Sequence, residues 1–231
     1  MIVVFPIGGK GTRFLDAGYS IQKPLLPVGD STLIQKAISS YPADASFLFV
    51  VKRGLILDLR KLLKGMPSKK TFIRVWKPTI GPVNTLLEAR EELLVNQEVL
   101  VADCDSFLDP AEMQQALDYF RVERADGGVT VRETSDPHCS YAQIDESGAV
   151  LETREKDAFT SWSTTGPYWF RWGSVFYRAL SEADKDYMNS ISPVYNYLIK
   201  AGGKVVAYPV TSFTHLGTPA EYEHYCNSPH L

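Results

Sequence analysis

A glycine-rich, basic loop near the start of the chain has the residue types that bind a polyphosphate. Residues 8–13 read Gly-Gly-Lys-Gly-Thr-Arg and follow the apolar run Ile2–Ile7. Glycines let backbone N–H groups turn toward an anion without interference from a Cβ atom, and Arg13 and Lys23 add positive charge. The spacing matches neither the Walker loop nor the dinucleotide-binding loop. A tight strand-to-helix connection that needs glycine only for turning is the alternative interpretation.

Two carboxylates form a second candidate group. Asp103 and Asp105 are separated by one residue and follow the segment 98–102, which reads as a buried strand. Mg²⁺ is bound in proteins by a few carboxylates together with substrate phosphates, and Mn²⁺ accepts the same oxygen ligands. The sequence leaves open which of the two carboxylates binds the ion, and a carboxylate that only caps a turn is the other interpretation. Beside a phosphate-binding loop, the pair predicts a divalent metal site.

The elements that must position these residues alternate between strand and helix in the first half of the chain. Patterning predicts strands at 2–7, 47–51, 71–76 and 98–102, and helices at 32–40, 54–64 and 84–94. A further helix begins at Pro110, with Asp109 as its cap and Glu112 reaching back. Such an alternation predicts a Rossmann-like α/β fold: a mostly parallel, mixed sheet with helices on both faces. Ligands of such sheets bind beyond the carboxyl ends of the strands, where both candidate groups lie.

The second half changes rhythm and predicts an antiparallel insertion on the substrate side. Short turns separate predicted strands at 127–133, 141–144, 149–153 and 165–170. Helices at 174–181 and 192–201 and a strand at 204–210 come next, and Thr218 and Glu221 form a capping box for a last helix. We expect one domain over residues 1–231, with 1–125 as the nucleotide-binding half and 126–231 as the acceptor-binding half.

The two phrases Gly8-Gly-Lys-Gly-Thr-Arg-Phe14 and Lys23-Pro-Leu-Leu-Pro-Val28 resemble the signature of the nucleotidyltransferase superfamily that makes nucleotide sugars and related activated alcohols. The continuation of the first phrase, Arg13-Phe-Leu-Asp-Ala-Gly-Tyr19, looks most like the short capsule and lipopolysaccharide members. The resemblance implies that an acceptor phosphate attacks the α-phosphorus of an NTP, with Mg²⁺ present, Arg13 and Lys23 catalytic, and pyrophosphate released. It implies these nucleotide-binding positions: Ile7, Gly8, Gly9, Lys10, Gly11, Thr12, Gly81, Asn84 and Asp103.

The resemblance also assigns residues to the acceptor and the base. Glu155 and Lys156 correspond to a pair that faces the acceptor, the acid toward its hydroxyls and the lysine toward its phosphate, with Thr165 and Gly166 coming next in the family's order. Taken alone, such a pair is a solvated surface pair. In the segment 81–85, the resemblance implies that Gly81 makes room for the base and ribose and that Asn84 contacts the edge of the base. A helix cap at Asn84 is the alternative.

One position departs from the family pattern. Where many members carry an Asp that is a second metal ligand, this chain carries His215. Imidazole is a poor ligand for Mg²⁺, which prefers oxygen, so a two-carboxylate site that includes this position is not expected. We expect His215 to contact a phosphate of the acceptor side as imidazolium, and simple packing is the alternative. Three aromatic residues follow Gly166 in the chain and line either an acceptor pocket or the core: Tyr168, Trp169 and Trp172.

Bulk composition narrows the partners. A net charge of −3 lacks the basic excess of nucleic-acid-binding proteins, and no apolar run reaches the length of a membrane span, so neither nucleic acid nor membrane insertion is expected. Three cysteines without metal-like spacing indicate a reducing, cytoplasmic setting. The length resembles the short capsule and cytidylyltransferase-like members, which favours CTP. Expected partners are therefore an NTP and a phosphorylated small molecule, with a homo-oligomer as a further expectation.

Two other functions are compatible with parts of this pattern. A glycosyltransferase of similar fold also uses an Asp-x-Asp metal site, but it releases no pyrophosphate and has no use for the basic glycine loop. A non-catalytic nucleotide-binding regulator would explain His215, but it would not need Arg13, Lys23 and Asp103. The residues therefore favour the transferase.

Overall fold

The computed structural model of the chain describes residues 1–183 and 190–228. The main sheet is built from nine strands: β1 (Ile2–Ile7), β4 (Ser46–Lys52), β5 (Lys70–Val75), β6 (Val99–Val101), β8 (Gly127–Glu133), β9 (Ser140–Ile144), β10 (Val150–Glu155), β11 (Trp162–Phe170) and β12 (Val205–Pro209). Two-residue strands form two small ladders: β2 (Pro27–Val28) with β3 (Ser31–Thr32), and β7 (Ser106–Phe107) with β13 (Thr214–His215).

The described α-helices fall between these strands and after them: α1 (Thr12–Asp16), α2 (Leu33–Ser39), α3 (Ile56–Leu62), α4 (Pro82–Leu87), α5 (Arg90–Leu93), α6 (Pro110–Val122), α7 (Gly173–Glu182), α8 (Val194–Lys200) and α9 (Pro219–Cys226). Single 3₁₀ turns cover Lys23–Leu25 and Arg53–Leu55. No helix in the described part of the chain is long and apolar enough to cross a membrane.

The main sheet is mostly parallel, as the sequence predicts. Strands β5, β4, β1 and β6 lie side by side and all run parallel. Strand β11 then pairs antiparallel to β6 and β8, and β12 runs parallel to β8. The hairpin of β9 and β10 joins β11 through the register pair Ser163–Tyr141, which places the predicted antiparallel insertion beside the carboxyl edge of the parallel strands.

Helices cover both faces of the sheet because consecutive strand residues point to opposite sides. Val4 belongs to one apolar core, where helices α4, α5, α7 and α8 contribute residues such as Leu86 and Phe176. Its neighbour Val3 belongs to a second core, where α2, α3 and α6 contribute residues such as Met113. Full burial of one such side chain stabilises the fold by about 1.5–3 kcal/mol. These two cores confirm the predicted α/β layering.

Two local predictions are wrong. The helix expected at 84–94 begins at Pro82 and is interrupted at Ala89, whose ψ of 36° lies outside the helical range. Glu112 does not reach back to the cap of α6, because the N–H of Asp109 already donates to Ser212 Oγ at 2.7 Å. The Glu112 carboxylate instead accepts hydrogen bonds from the backbone and hydroxyl groups of residues 211 and 212.

Candidate active site

Loops from several strands meet at the carboxyl edge of the sheet and form two adjoining clefts. The first, which we call the loop cleft, has a volume of about 1120 Å³ and is lined by residues 9–14, Lys23, residues 78–80 and Gly217. The second, the hairpin cleft, has a volume of about 1030 Å³ and is lined, among others, by Asp103, Asp105, Arg132, Glu155, Lys156, Gly166 and His215. Arg13 lines both clefts, so it stands at their junction.

A small apolar cluster holds the glycine loop and the Lys23 turn against each other. Phe14 of α1, Leu26 and Leu216 are buried together with Tyr222 of α9. The Tyr222 hydroxyl also donates to the carbonyl of Pro27 at 2.7 Å. The positions of Arg13 and Lys23 are therefore fixed by packing between distant parts of the chain.

Close contacts require glycine at position 8. A Cβ atom there would lie 2.6 Å from Thr79 Oγ1 and 2.8 Å from Thr85 Oγ1, and the N–H of Thr79 donates to the carbonyl of Gly8 at 3.1 Å. Gly8 thus joins the glycine loop to residues 79–85. The next loop residues are exposed and line the loop cleft, and their binding of phosphate stays a prediction: Gly9, Lys10, Gly11 and Thr12.

Lys23 is a largely buried cation held by two acceptors. Its Nζ donates to the Asp105 carboxylate and, at 3.1 Å, to the carbonyl of Gly217. The side chains of Lys23 and Asp105 are only 16% and 13% exposed. Burial lowers the pKa of Lys23, but the charge and hydrogen bond of Asp105, with the neighbouring Cys104 and Asp103, together outweigh burial and the net shift is upward. Arg13 Nη1 also donates to the Gly217 carbonyl, at 3.5 Å, so one carbonyl orients both cations.

The two carboxylates predicted to hold metal have different surroundings. Burial disfavours the charge on Asp105, but Lys23 and then His215 outweigh burial and lower its pKa. Burial, and then the Asp105 charge, raise the pKa of Asp103 to about 7. Asp103 forms no ion pair with any residue in the described ranges. The Asp103 carboxyl thus lines the hairpin cleft without a direct ion-pair partner, and a cation bound beside it would favour its ionised form.

Protein side chains alone do not complete a metal site here. Within residues 1–183 and 190–228, no three His, Cys, Asp or Glu side chains come together as metal ligands. A divalent ion at Asp103 would need further oxygen ligands from phosphates or water, which is the usual arrangement for Mg²⁺.

A distortion of β11 brings its backbone against Asp103. The register of β11 on β8 shifts between Thr164 and Tyr168, and Gly166 within this shift has a φ of +102°. A Cβ atom at Gly166 would lie 2.8 Å from Asp103 Oδ2. Thr165 also lines the hairpin cleft, and its buried hydroxyl hydrogen-bonds to Thr130 of β8. Glycine is needed here for both its backbone geometry and its size.

The predicted acceptor pair lies where β10 ends. Glu155 accepts a hydrogen bond from Ser140 Oγ, and Lys156 has a positive φ of 54°, which is uncommon for a residue with a Cβ atom. The Lys156 side chain is 57% exposed and lies 3.9 Å from the Glu155 carboxylate. The pair lines the hairpin cleft rather than a plain surface.

His215 lies on β13 and lines the hairpin cleft. Its Nδ1 is 2.9 Å from Ser106 Oγ, and a Cβ atom at Gly217 would lie 2.1 Å from its Nε2. The ring therefore lies between Ser106 and the Gly217 turn that orients Arg13 and Lys23. A contact between His215 and phosphate stays a prediction.

Several wall residues of the hairpin cleft are missed by sequence reasoning. One of them is Arg132, the second-to-last residue of β8. Its guanidinium carbon lies 4.9 Å from the ring centroid of Phe213, and its buried Nε has no hydrogen-bond partner among the described residues. Its place at a strand end is the signal that could have identified it.

Asn84 is not the helix cap of the alternative interpretation, because α4 begins before it with Gly81 as cap.

Of the aromatic residues, Trp169 is 1% exposed and belongs to the core, whereas Tyr168 lines the hairpin cleft. Trp172 is 42% exposed and is the N-cap residue of α7, just past the end of β11.

Comparison with known proteins assigns the chain to a family. The model of the family described as nucleotidyl transferase matches residues 3–224. A search of curated protein sequences gives no match. The chain therefore belongs to the nucleotidyl transferase family on the strength of the family model, and it is a nucleotidyltransferase.

Solved structures share the fold at low sequence identity. A nucleoside-diphosphate-sugar pyrophosphorylase from Vibrio cholerae RC9 superposes with a TM-score of 0.81 at 23% identity, over 99% of this chain and 100% of that chain. An inositol-1-phosphate CTP transferase from T. maritima gives a TM-score of 0.76 at 15% identity, over 97% and 92%. A UDP-glucose pyrophosphorylase complexed with UDP-glucose gives 0.78 at 19% identity, over 98% and 97%.

Proposed function

For this member of the nucleotidyl transferase family, we propose the Mg²⁺-dependent transfer of a nucleotidyl group from an NTP to a sugar phosphate or another phosphorylated small alcohol. The observation that carries the proposal is the junction of the two clefts, where Arg13 borders both and shares the Gly217 carbonyl with Lys23. Two anionic substrates that enter from opposite sides would meet at these cations. We assign the reaction to the cytoplasmic supply of surface-polysaccharide precursors.

The reaction needs positioning and charge neutralisation rather than a covalent enzyme intermediate. An oxygen of the acceptor phosphate forms a bond to the α-phosphorus, the bond between the α-phosphorus and the bridging oxygen to the β-phosphate breaks, and pyrophosphate leaves with the electron pair. The acceptor phosphate is already an anion, so no general base is required. Arg13 and the loop amides of residues 9–12 bind the departing pyrophosphate, while Lys23 brings the α-phosphate and the acceptor together.

We assign different roles to the two carboxylates. Asp103, which lines the hairpin cleft without a direct ion-pair partner among the described residues, is the protein ligand for the divalent ion. Asp105 orients Lys23, because its carboxylate is already occupied by the Lys23 ammonium group. When bound, Mg²⁺ supplies positive charge to the nucleotide phosphates.

The acceptor occupies the hairpin cleft in this proposal. Lys156 and Arg132 bind its anionic groups, and Glu155 accepts hydrogen bonds from its hydroxyls. The names of the structural neighbours, one a CTP transferase for inositol 1-phosphate and the others sugar pyrophosphorylases, support acceptors that carry both a phosphate and hydroxyls. We propose CTP as the nucleotide.

Pyrophosphate release tests the proposal. Each of the four common NTPs is incubated with a mixture of sugar 1-phosphates and phosphorylated alcohols, with and without Mg²⁺. We expect pyrophosphate only when one NTP, one acceptor and Mg²⁺ are all present, with CTP the most active nucleotide. In a parallel incubation with nucleotide sugars, release of a nucleoside diphosphate would favour a glycosyltransferase, and NTP binding without turnover of any acceptor would favour a regulator.

A further inference from the structure

A strongly basic surface lies beside the loop cleft. Residues 52–77 carry nine Lys and Arg side chains against one acidic residue, Asp58, whereas the whole chain carries 24 Lys and Arg against 27 Asp and Glu. The rest of the chain is therefore acidic. The segment comprises the end of β4, helix α3 and the edge strand β5, so the charge is gathered at one side of the sheet.

Three arginines of this segment converge on one groove. Arg53, Arg60 and Arg74 line a volume of about 870 Å³. The Arg74 guanidinium carbon lies 4.1 Å from the ring centroid of Trp76, and that of Arg60 lies 5.3 Å from the ring of Phe72. None of the three forms an ion pair with a residue that the structure describes. Their positive charge is available to an anionic partner.

Large apolar side chains project from the same surface. Leu57 is 74% exposed and Trp76 is 69% exposed, and Leu57 shares the groove with the arginines. Tryptophan and leucine interleaved with Lys and Arg are typical of protein surfaces that lie at the membrane interface. Six of the nine basic side chains of the segment are lysines, which are depleted in interfaces between proteins, and an exposed leucine adds nothing to phosphate contacts on nucleic acid. The composition therefore favours a lipid surface over a protein or nucleic-acid partner.

We propose that this basic surface, defined by Arg53, Leu57, Arg60, Arg74 and Trp76, binds reversibly to bilayers that carry anionic lipid headgroups. The arginines contact lipid phosphates, and the two apolar side chains lie at the level of the headgroups. Each basic side chain near an anionic bilayer raises the partition coefficient by about fivefold. The contact is peripheral and leaves both clefts free, because none of these five residues lines them.

Vesicle co-sedimentation of the full chain tests the proposal. The probes are vesicles of phosphatidylcholine alone and of equimolar phosphatidylcholine and phosphatidylglycerol. We expect binding only to the anionic vesicles, weakened by more than about tenfold in Arg60→Glu/Arg74→Glu. The matched control is Arg178→Glu/Lys200→Glu, which changes the net charge equally at exposed positions outside the segment and should bind nearly as the unaltered protein does. Trp76→Ser should weaken binding without changing charge.

The far-ultraviolet circular dichroism and turnover of each variant in solution show that it is folded. Equal vesicle binding by the two double variants would overturn the proposal, as would equal binding to neutral and anionic vesicles. Absence of vesicle binding together with retention of a DNA duplex or an acidic protein would assign the surface to another partner. A raised KM for the NTP in Arg60→Glu/Arg74→Glu with vesicle binding intact would assign it to substrate steering.

Discussion

Lys23 brings a buried positive charge to the junction of the two clefts, held by Asp105 and by the Gly217 carbonyl. A charge fixed in this way needs no reorganisation when two phosphates approach it, which is why preorganised cations contribute strongly to phosphoryl-type transfer. The pKa of Asp105 at its side is lowered, because the charges of Lys23 and His215 and the hydrogen bonds to its carboxylate together outweigh burial. The ion pair therefore fixes the position of the ammonium group.

We predict that Lys23→Ala lowers kcat by about a hundredfold, which corresponds to ~3 kcal/mol of transition-state stabilisation. The measurement is steady-state pyrophosphate release. Lys36→Ala, on α2 and outside both clefts, is the matched control and should keep normal turnover. Near-normal turnover of Lys23→Ala would rule out the role given to this residue.

The roles proposed for the two carboxylates predict different metal responses. Asp103→Asn should raise the Mg²⁺ concentration required for half-maximal activity, because it removes a charged ligand of the ion. Asp105→Asn should lower kcat with little change in that Mg²⁺ concentration, because it loosens Lys23 instead. Both are read from Mg²⁺ activation curves, and a larger shift in the curve for Asp105→Asn would reverse the assignment.

Among the elements, β11 connects the core to the site. Its register shift at residues 165–167 lets the strand pair with β9 at one end and with β6 at the other, and it presses Gly166 against Asp103. The sequence predicts a strand at 165–170, but its start at Trp162 and the register shift depend on pairing with β8 and β9. Tertiary pairing of this kind is not encoded in local residue patterns.

Gly166→Ala should lower the thermal stability and also raise the Mg²⁺ requirement, since the added methyl group strains the backbone and displaces Asp103. Gly202→Ala is a matched control: its φ is +84°, and a Cβ atom there meets nothing within 4 Å. Both variants should lose about 1–3 kcal/mol of stability from backbone strain. Only Gly166→Ala should shift the Mg²⁺ activation curve, and equal curves for the two would refute the contact.

The hydrogen bonds between Glu112 of α6 and residues 211 and 212 make part of the stability of the fold depend on pH. Burial opposes ionisation of Glu112, but hydrogen bonds from Ser212 and Thr211 outweigh it and lower its pKa from 4.5 to about 2. Because the folded pKa is depressed, this stabilisation is present above pH 4.5 and is lost as the pH falls toward 2.

Glu112→Gln should therefore be less stable than the unaltered protein at pH 7 by about 1 kcal/mol, and this difference should shrink as the pH falls below 4.5. Denaturant unfolding across this pH range measures both effects. Glu146→Gln, at an exposed turn, should leave the pH profile unchanged. A constant difference between Glu112→Gln and the unaltered protein at all pH values would contradict the prediction.

At the scale of the whole molecule, the sequence predicts the layered sheet and most of the residues at its carboxyl edge, because strand ends and glycine loops are local signals. It does not predict the Lys23–Asp105 ion pair, since those residues are far apart in the chain and meet only through the packing of Phe14, Leu26 and Tyr222. Arg132 is missed for a similar reason: its position in the cleft depends on the ring of Phe213 from a later loop. Local pattern therefore predicts which candidate residues lie at this edge, and tertiary packing determines the contacts between them.

The central claim is that a nucleotidyl group crosses from the loop cleft to an acceptor in the hairpin cleft. The most direct test traces an NTP labelled with ³²P at either the α- or the γ-position, with the acceptor identified by pyrophosphate release. We predict that the α-label appears in the acceptor product and the γ-label in pyrophosphate, in equal amounts, with both strongly reduced in Lys23→Ala. Appearance of the γ-label in the acceptor, or of the α-label only in free nucleotide, would contradict the account.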